Sequence, residues 1–432
     1  MRKVIIILIL GTFLLSLTAC YDAHEMDDML YVVSIGVDKG ISDKWRLTIQ
    51  FPTMKEGGGQ TQSGSGGGGQ SQSGSGGDEQ SGHSYASIDA PSFFTGIDML
   101  NASLPRKLNF SHAQIIVFSE ELAKEGLIGE YIAPLSRFRE IRRSAHVFVV
   151  KGNAIDFIKE NKPVIGTTIS KSFQVLAHTS ENIGYFPNIT LENFYEALKS
   201  PCGQAIAAMT SVNDLESFAE DGEPWGTKYK TGGEYLAGQL PRAGQNKIEV
   251  WGTALFNGNK MVGELNGDET RFLLIARGEF KQGSFTMQDP QKPELIIPLD
   301  VRVSKKPQID IDIKDKKPVI RLKVQLDADL LAVQSMINYE QPELQSLLEQ
   351  TFKKSVEDGI ATLIKKCQDL NADAFHFGDY AAKNFLTIDA FESYDWNSHF
   401  KEAEVIVDVN FAIRRTGTQI KSYPIKDPIG VN

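Results

Sequence analysis

The residue pattern predicts an α+β protein with mixed α/β layering, divided into three domains with mixed sheets and packed helices. Three observations carry this. Helix and strand signals alternate between residues 90 and 161, turn-rich β character dominates from 201 to 300, and the last third pairs a long amphipathic run with an alternating strand. The expected divisions are a signal segment at 1–19, a mixed α/β domain at 20–200, a β-rich domain at 201–300 and an α/β domain at 301–432.

The chain opens with Arg2 and Lys3, then an uncharged stretch from 4 to 17, then Leu17-Thr18-Ala19-Cys20. As a helix that stretch rises roughly 21 Å, short of the roughly 30 Å hydrocarbon core. A basic start, a short apolar centre and small residues before a cysteine form a lipoprotein signal. Leu17 and Ala19 favour it over an ordinary secretory signal with an incidental cysteine. The Cys20 thiol is then expected to accept a diacylglyceryl group and, after cleavage, become the N-terminus. Two acyl chains, at roughly 0.8 kcal/mol per buried methylene, anchor stably where one is marginal.

Tyr31 to Asp38 and Trp45 to Phe51 read as a hairpin. Residues 57–82 are almost wholly Gly, Ser, Gln and Thr, and 59–68 recur with few changes at 69–78. Such a segment buries too little apolar surface to offset its ordering entropy and is expected to be disordered. Tyr85 to Asp89 resumes a strand pattern, so the segment reads as an insertion within one strand connection.

Ala90 to Ala102 then reads as a helix with Pro91 in its first turn, Ile115 to Ser119 as a strand and Glu120 to Glu125 as a short helix. Gly129 to Ile141 is helical with an Arg-rich end, Ala145 to Val150 a buried strand, and Asn153 to Asn161 helical. Thr190 caps a helix to Lys199. Val250 to Phe256 and Lys260 to Gly263 flank Asn257-Gly258-Asn259, whose tolerance of positive φ suits a hairpin. Asn266-Gly267 is another turn signal before Arg271 to Arg277. Lys292-Pro293 and Lys305-Lys306-Pro307 mark the second boundary. Strands follow at Gln308 to Ile313 and Val319 to Leu326, a helix at Pro342 to Leu370, and an alternating strand at Glu404 to Ile413.

The formal charge is −10, or −12 once Arg2 and Lys3 leave with the signal. That argues against nucleic acid as a partner and keeps the body off anionic headgroups, leaving the acyl anchor to hold the membrane. Beyond Cys20 only Cys202 and Cys367 remain, without disulfide or zinc spacing; Cys367 falls on the apolar stripe of its helix and reads as a small buried hydrophobe.

No catalytic motif stands out: neither a G-x-S-x-G elbow, nor a P-loop, nor H-E-x-x-H, and the glycines of 57–77 lack the Lys and helix that cradle phosphate. Hence no catalytic residue, cofactor or metal is assigned. His24, Glu25, Asp27 and Asp28 have spacing for weak divalent binding, but solvation beside a terminus explains them as well. His112 and His146 read as structural. Arg106, Lys107, Arg137, Arg139, Arg142 and Arg143 concentrate positive charge in an acidic chain, as a docking surface for acidic groups or as a solvated face.

Several of these residues together resemble the Ger(x)C family, the lipoprotein C subunits of spore germinant receptors. The likeness begins at Cys20-Tyr21-Asp22, where Tyr21 replaces the family's usual Trp, with Glu25 and Ile35-Gly36-Val37-Asp38. It continues through Arg106, His112, Ile115 to Phe118, Glu120 to Ala123, Gly126, Arg137 and Arg142. It then takes in Gly252 to Phe256, Gly263-Glu264-Leu265 and Glu269-Thr270. It ends with Asp373, Phe375 to Gly378, Trp396, Phe400, Arg414, Arg415 and Gly417.

The Gly-Ser-Gln segment departs from the family. The resemblance implies a three-domain, non-enzymatic lipoprotein on the outer face of the spore inner membrane, assembled with a membrane-embedded A subunit and a transporter-like B subunit for nutrient-triggered germination. Which nutrient is sensed, and whether this subunit touches it, stays open. A lipid-anchored solute-binding protein is the alternative from another class, and an envelope hydrolase a third.

Overall fold

A computed structural model of the chain describes residues 28–53, 82–162, 169–213, 229–244 and 246–417, with residues 5 and 422. The expectations for the signal at 1–19, lipidation of Cys20, the set His24, Glu25 and Asp27, and disorder across 57–81 lie outside those residues.

The long apolar strands organise everything else. Ile115–Ser119 (β6) and His146–Lys151 (β7) are near-continuous apolar runs, and such runs need cover on both faces. They get it by alternation. Ile116, Phe118, Val147 and Val149 face one core, whereas Ile115, Val117, Phe148 and Val150 face a second with Phe157 and Phe173. The second is roofed by helices Ala154–Glu160 (α4) and Ile169–Ile183 (α5). Helices Phe93–Asn101 (α1), Glu120–Glu125 (α2), Ile128–Arg137 (α3) and Leu191–Lys199 (α6) contribute their buried residues to the first.

Strands Ser34–Lys39 (β2), β6, β7 and Ile206–Val212 (β8) run parallel at the centre. Antiparallel hairpins complete the sheet on either side: Trp45–Pro52 (β3) with His83–Ala90 (β4), and Ile248–Asn257 (β9) with Lys260–Leu265 (β10). The eight-stranded order is β10-β9-β8-β7-β6-β2-β3-β4. A short parallel pair, Met29–Tyr31 (β1) with Lys107–Asn109 (β5), stands beside it. The β3–β4 pairing continues to Thr53, whose N–H donates to Gly82 O at 2.9 Å.

The third sheet has the order β11 (Gln282–Gln288), β12 (Ile296–Lys314), β13 (Lys317–Leu330), β14 (Glu404–Arg415). Helix α8 (Pro342–Asp369) lays Leu348, Phe352, Val356, Ile360, Leu363 and Cys367 into the same core. Pro342 starts it, its missing N–H costing nothing there. Glu357 and Glu349 of α8 accept the Val409 and Ile413 N–H groups of β14 at 2.9 and 2.8 Å, so part of that edge is closed by side chains. Short helices Gly378–Ala381 (α9), Ile388–Tyr394 (α10) and Trp396–Phe400 (α11) fill the connection.

The mixed α+β class stands, with differences in detail. Helix α1 starts at Phe93 because Ser92 caps it, its Oγ accepting Thr95 N–H at 3.1 Å; Pro91 precedes the cap. Helix α3 stops at Arg137. Helices α5 and Gly267–Arg277 (α7) occupy segments where the pattern predicted none. Asn266 is a helix cap: its side chain accepts Glu269 N–H at 2.9 Å while Glu269 accepts Asn266 N–H at 3.0 Å. Lys305-Lys306-Pro307 is no interruption but an irregularity inside β12, where register shifts accommodate the proline. Hydrogen bonding crosses both expected boundaries, since β8–β10 continue the sheet past residue 200 and β11 pairs with β12 across residue 300.

Candidate functional site

The motif residues act first as internal supports. Asp38, 4% exposed, accepts the Ala154 and Ile155 N–H groups at 2.6 and 2.9 Å, so the end of β2 caps α4. Burial pushes its carboxyl above the usual range against those donors. Gly36 leaves room for the same helix: a Cβ there meets Ile158 Cγ1 at 3.1 Å. Gly252 has φ +85°, and its missing Cβ would fall 2.3 Å from Leu265 O. Thr253 and Thr270 share a buried hydroxyl hydrogen bond of 2.9 Å.

Asp373 is fully buried and accepts Phe377 N–H at 3.2 Å, Gly378 N–H at 3.0 Å and the Trp396 indole N–H at 2.8 Å. It thereby folds the Phe375-to-Gly378 turn onto α11.

That turn forms one wall of a cleft of about 850 Å³, which α5, α6, the end of α7 and residues 376–379 surround. Charged side chains line it in neighbouring pairs. Lys199 meets Glu196 at 3.0 Å, Arg277 meets Glu279 at 2.7 Å, Lys281 meets Glu181, and His376 Nδ1 lies 3.6 Å from Asp379. The neighbouring His376 imidazole holds the Asp379 carboxyl below its usual range, while burial and then Asp379 push the neighbouring Cys202 thiol up to about 11. A thiol so placed is protonated at neutral pH and unsuited to nucleophilic attack.

Cys202 and Cys367 are free thiols, and Cys367 is fully buried as its helical stripe required. His112 stacks on Tyr31 at 4.6 Å. His146 bridges to Thr190 through its backbone, and burial lowers its pKa. Among the described residues no cluster of three or more His, Cys, Asp or Glu side chains is placed to hold a metal ion. None of the described helices is long and apolar enough to cross a membrane.

Two tethers escaped the sequence reading. Arg271, 3% exposed, lies 3.7 Å over the Tyr185 ring and 4.5 Å from that of Phe285, and donates Nε–H to Ile183 O at 2.8 Å. Lys366 of α8 donates to both carboxylate oxygens of Glu269 at 2.8 Å and to Glu264 O at 2.9 Å. Glu269 is among the motif residues, and its capping-box spacing after Asn266 could have given its role; nothing in the pattern marks Arg271.

Residues 22–212 match a family model described as a spore germination protein N-terminal domain, and residues 251–417 one described as spore germination B3/GerAC like, C-terminal. Spore germination protein KC of Bacillus subtilis is 23% identical, covering 98% of each chain. Spore germination protein B3 of the same organism is 21% identical over 94% of this chain and 96% of its own. Spore germination protein GerQC of Bacillus cereus is 21% identical over 96% and 99%. A crystal structure of the GerBC protein shares the fold at a TM-score of 0.50 and 17% identity, covering 88% of this chain and 96% of that one. With both halves matched in order along nearly its whole length, the chain belongs to the GerAC-like family of spore germination proteins.

Proposed function

We propose that this protein is the lipid-anchored, non-enzymatic C subunit of a spore nutrient germinant receptor. A diacylglyceryl group on Cys20 would hold it on the outer face of the spore inner membrane, against a membrane-embedded A subunit and a transporter-like B subunit. The observation carrying this is the ordered match of both family domains, at 22–212 and 251–417. Among the motif residues, Asp38, Thr253, Thr270 and Asp373 support it, because their polar groups are spent on capping and bracing the fold. Confinement to the membrane plane would raise the effective concentration of the soluble body near its partners without any new contact.

The test is nutrient-triggered germination of spores lacking the gene, complemented with the wild-type or the Cys20→Ala chain, beside a trigger that bypasses receptors. Loss of the nutrient response with the bypass intact, restored only by the wild-type chain, is expected. A fully active unlipidated form would overturn the anchoring mechanism.

The charged cleft favours one second reading, direct binding of a small polar solute. It predicts nutrient-dependent thermal stabilisation of the mature chain, abolished by altering Lys199 and Arg277 together. A normal germination response in the deletion strain, combined with such stabilisation, would favour a solute-binding protein.

A further inference from the structure

Strands β2, β6 and β7 are parallel and start level with one another: Ser34 pairs with Ile115, and Ile115 with His146. The three segments leading into them therefore converge at one end of the sheet. They are β1, the stretch through β5 carrying Arg106 and Lys107, and the loop from Arg137 to Ala145. Lys107, Arg137, Arg139, Arg142 and Arg143 are all exposed there.

The convergence is braced. Phe138, between two of the arginines, packs on Phe93, Phe94 and Phe110 at ring distances of 5.9, 5.5 and 5.8 Å. Phe110 N–H donates to Glu140 at 3.0 Å, and Leu108 N–H to Asn101 at the end of α1 at 2.9 Å. Phe94 nevertheless keeps 44% of its surface in water beside this loop. Among the described carboxylates, Glu140 is held by Phe110 N–H and Glu192 pairs with Arg143 at 3.4 Å. An acidic protein thus gathers four exposed arginines, with an exposed aromatic ring, on one end.

We propose that this end docks on the surface of an anionic phospholipid bilayer. Basic side chains attract anionic headgroups, and an aromatic ring suits the interface between headgroup and acyl chain. Chain length gives the orientation. Met29 of β1 pairs with Lys107, and residues 20 to 29 span at most roughly 30 Å. A lipid on Cys20 would keep this end, rather than the acidic remainder, close to the bilayer. That last step rests on the anchor proposed above; the charges and Phe94 stand without it. The docking would fix which way the cleft and the third sheet face, which a flexible acyl tether alone does not.

The test uses the chain from Tyr21 onward, which keeps every strand and every helix named above and carries no lipid. It is sedimented with vesicles of phosphatidylcholine alone or mixed with phosphatidylglycerol, at low and high salt. Binding that needs phosphatidylglycerol and falls with salt is expected. R139E/R142E should weaken it roughly 10- to 30-fold, at about fivefold per basic residue, and Phe94→Ser should weaken it further. K305E/K306E, the same charge change on β12, should have no such effect. Equal binding to both vesicles, or equal effects of the two charge reversals, would overturn the proposal.

Should R139E/R142E fail to melt cooperatively, the salt dependence and Phe94→Ser carry the same test. If vesicle binding is absent but R139E/R142E releases the full chain from its detergent-solubilised partners, the face meets an acidic protein surface instead and the lipid proposal falls. The assay has no germination readout and no lipid anchor, so its failure leaves the receptor reading separately testable.

Discussion

Asp373 shows how much one buried carboxylate holds at the residue scale. Removing it in Asp373→Ala leaves the Phe377, Gly378 and Trp396 N–H groups without their acceptor in dry surroundings. At about 1–3 kcal/mol for each unsatisfied buried donor, the loss should reach about 3 kcal/mol or more. Urea unfolding would measure it, and a midpoint within error of the parent would refute the bracing role. Asp89 gives a pH-dependent case. It accepts Arg46 Nε–H at 2.7 Å and Nη2–H at 3.1 Å, and the Ile41 and Ser42 N–H groups at 2.8 Å each. The arginine above all, then these backbone donors, hold its pKa at about 2. Because the folded-state value is depressed, the stabilisation is present above the unfolded pKa near 4 and is lost as pH falls toward 2. Asp89→Asn should cost on the order of 1 kcal/mol at neutral pH, solvent screening the pair at this edge, and almost nothing near pH 2. Equal losses at the two pH values would remove the electrostatic account.

At the element scale, what could be read from the chain depended on whether the signal was local. The β6 strand, the α2 helix, the Thr190 cap and the long α8 helix carry their periodicity or capping in consecutive residues, and they form where the pattern placed them. Helix α7 was hidden because Asn266-Gly267 matches a turn and a helix start equally, and the deciding contact is the reciprocal bond with Glu269. Lys305-Lys306-Pro307 misled for a related reason: a proline that ends a regular ladder is tolerated at a register shift, and only the partner strand shows the shift. Gly252 tests the same lesson within β9. Its positive φ and the 2.3 Å approach to Leu265 O together forbid a side chain. Gly252→Ala should therefore destabilise by at least about 2 kcal/mol through strain and displacement of β10. A thermal midpoint unchanged from the parent would show that the strand relaxes freely. The basic cluster was legible as composition, but its meeting at one end depends on the parallel register of β2, β6 and β7, which no local pattern encodes.

For the whole molecule, the eight-stranded sheet decides how the chain can be divided. A boundary at 200 follows from the change in local character, yet β7 pairs with β8 across it from Phe148 with Ala208 to Lys151 with Ser211. Beyond β8 the hairpin of β9 and β10 adds Leu255, Phe256 and Leu265 to the shared core, and Arg271 and Lys366 tie that region onward to Phe285 and α8. A chain ending at residue 200 keeps α6 but loses β8 to β10. It is left with an open, apolar β7 edge whose Phe148, Val149 and Val150 were buried. Open edges of that kind recruit other chains. Residues 21–200 alone should aggregate or melt without a cooperative transition, whereas residues 21–432 should hold the β6 and β7 amides against exchange. A sharp transition in the shorter chain, with protection in β6 and β7 equal to that of the longer one, would show that the first half folds by itself. Interactions across residue 200 would then matter for assembly and not for folding.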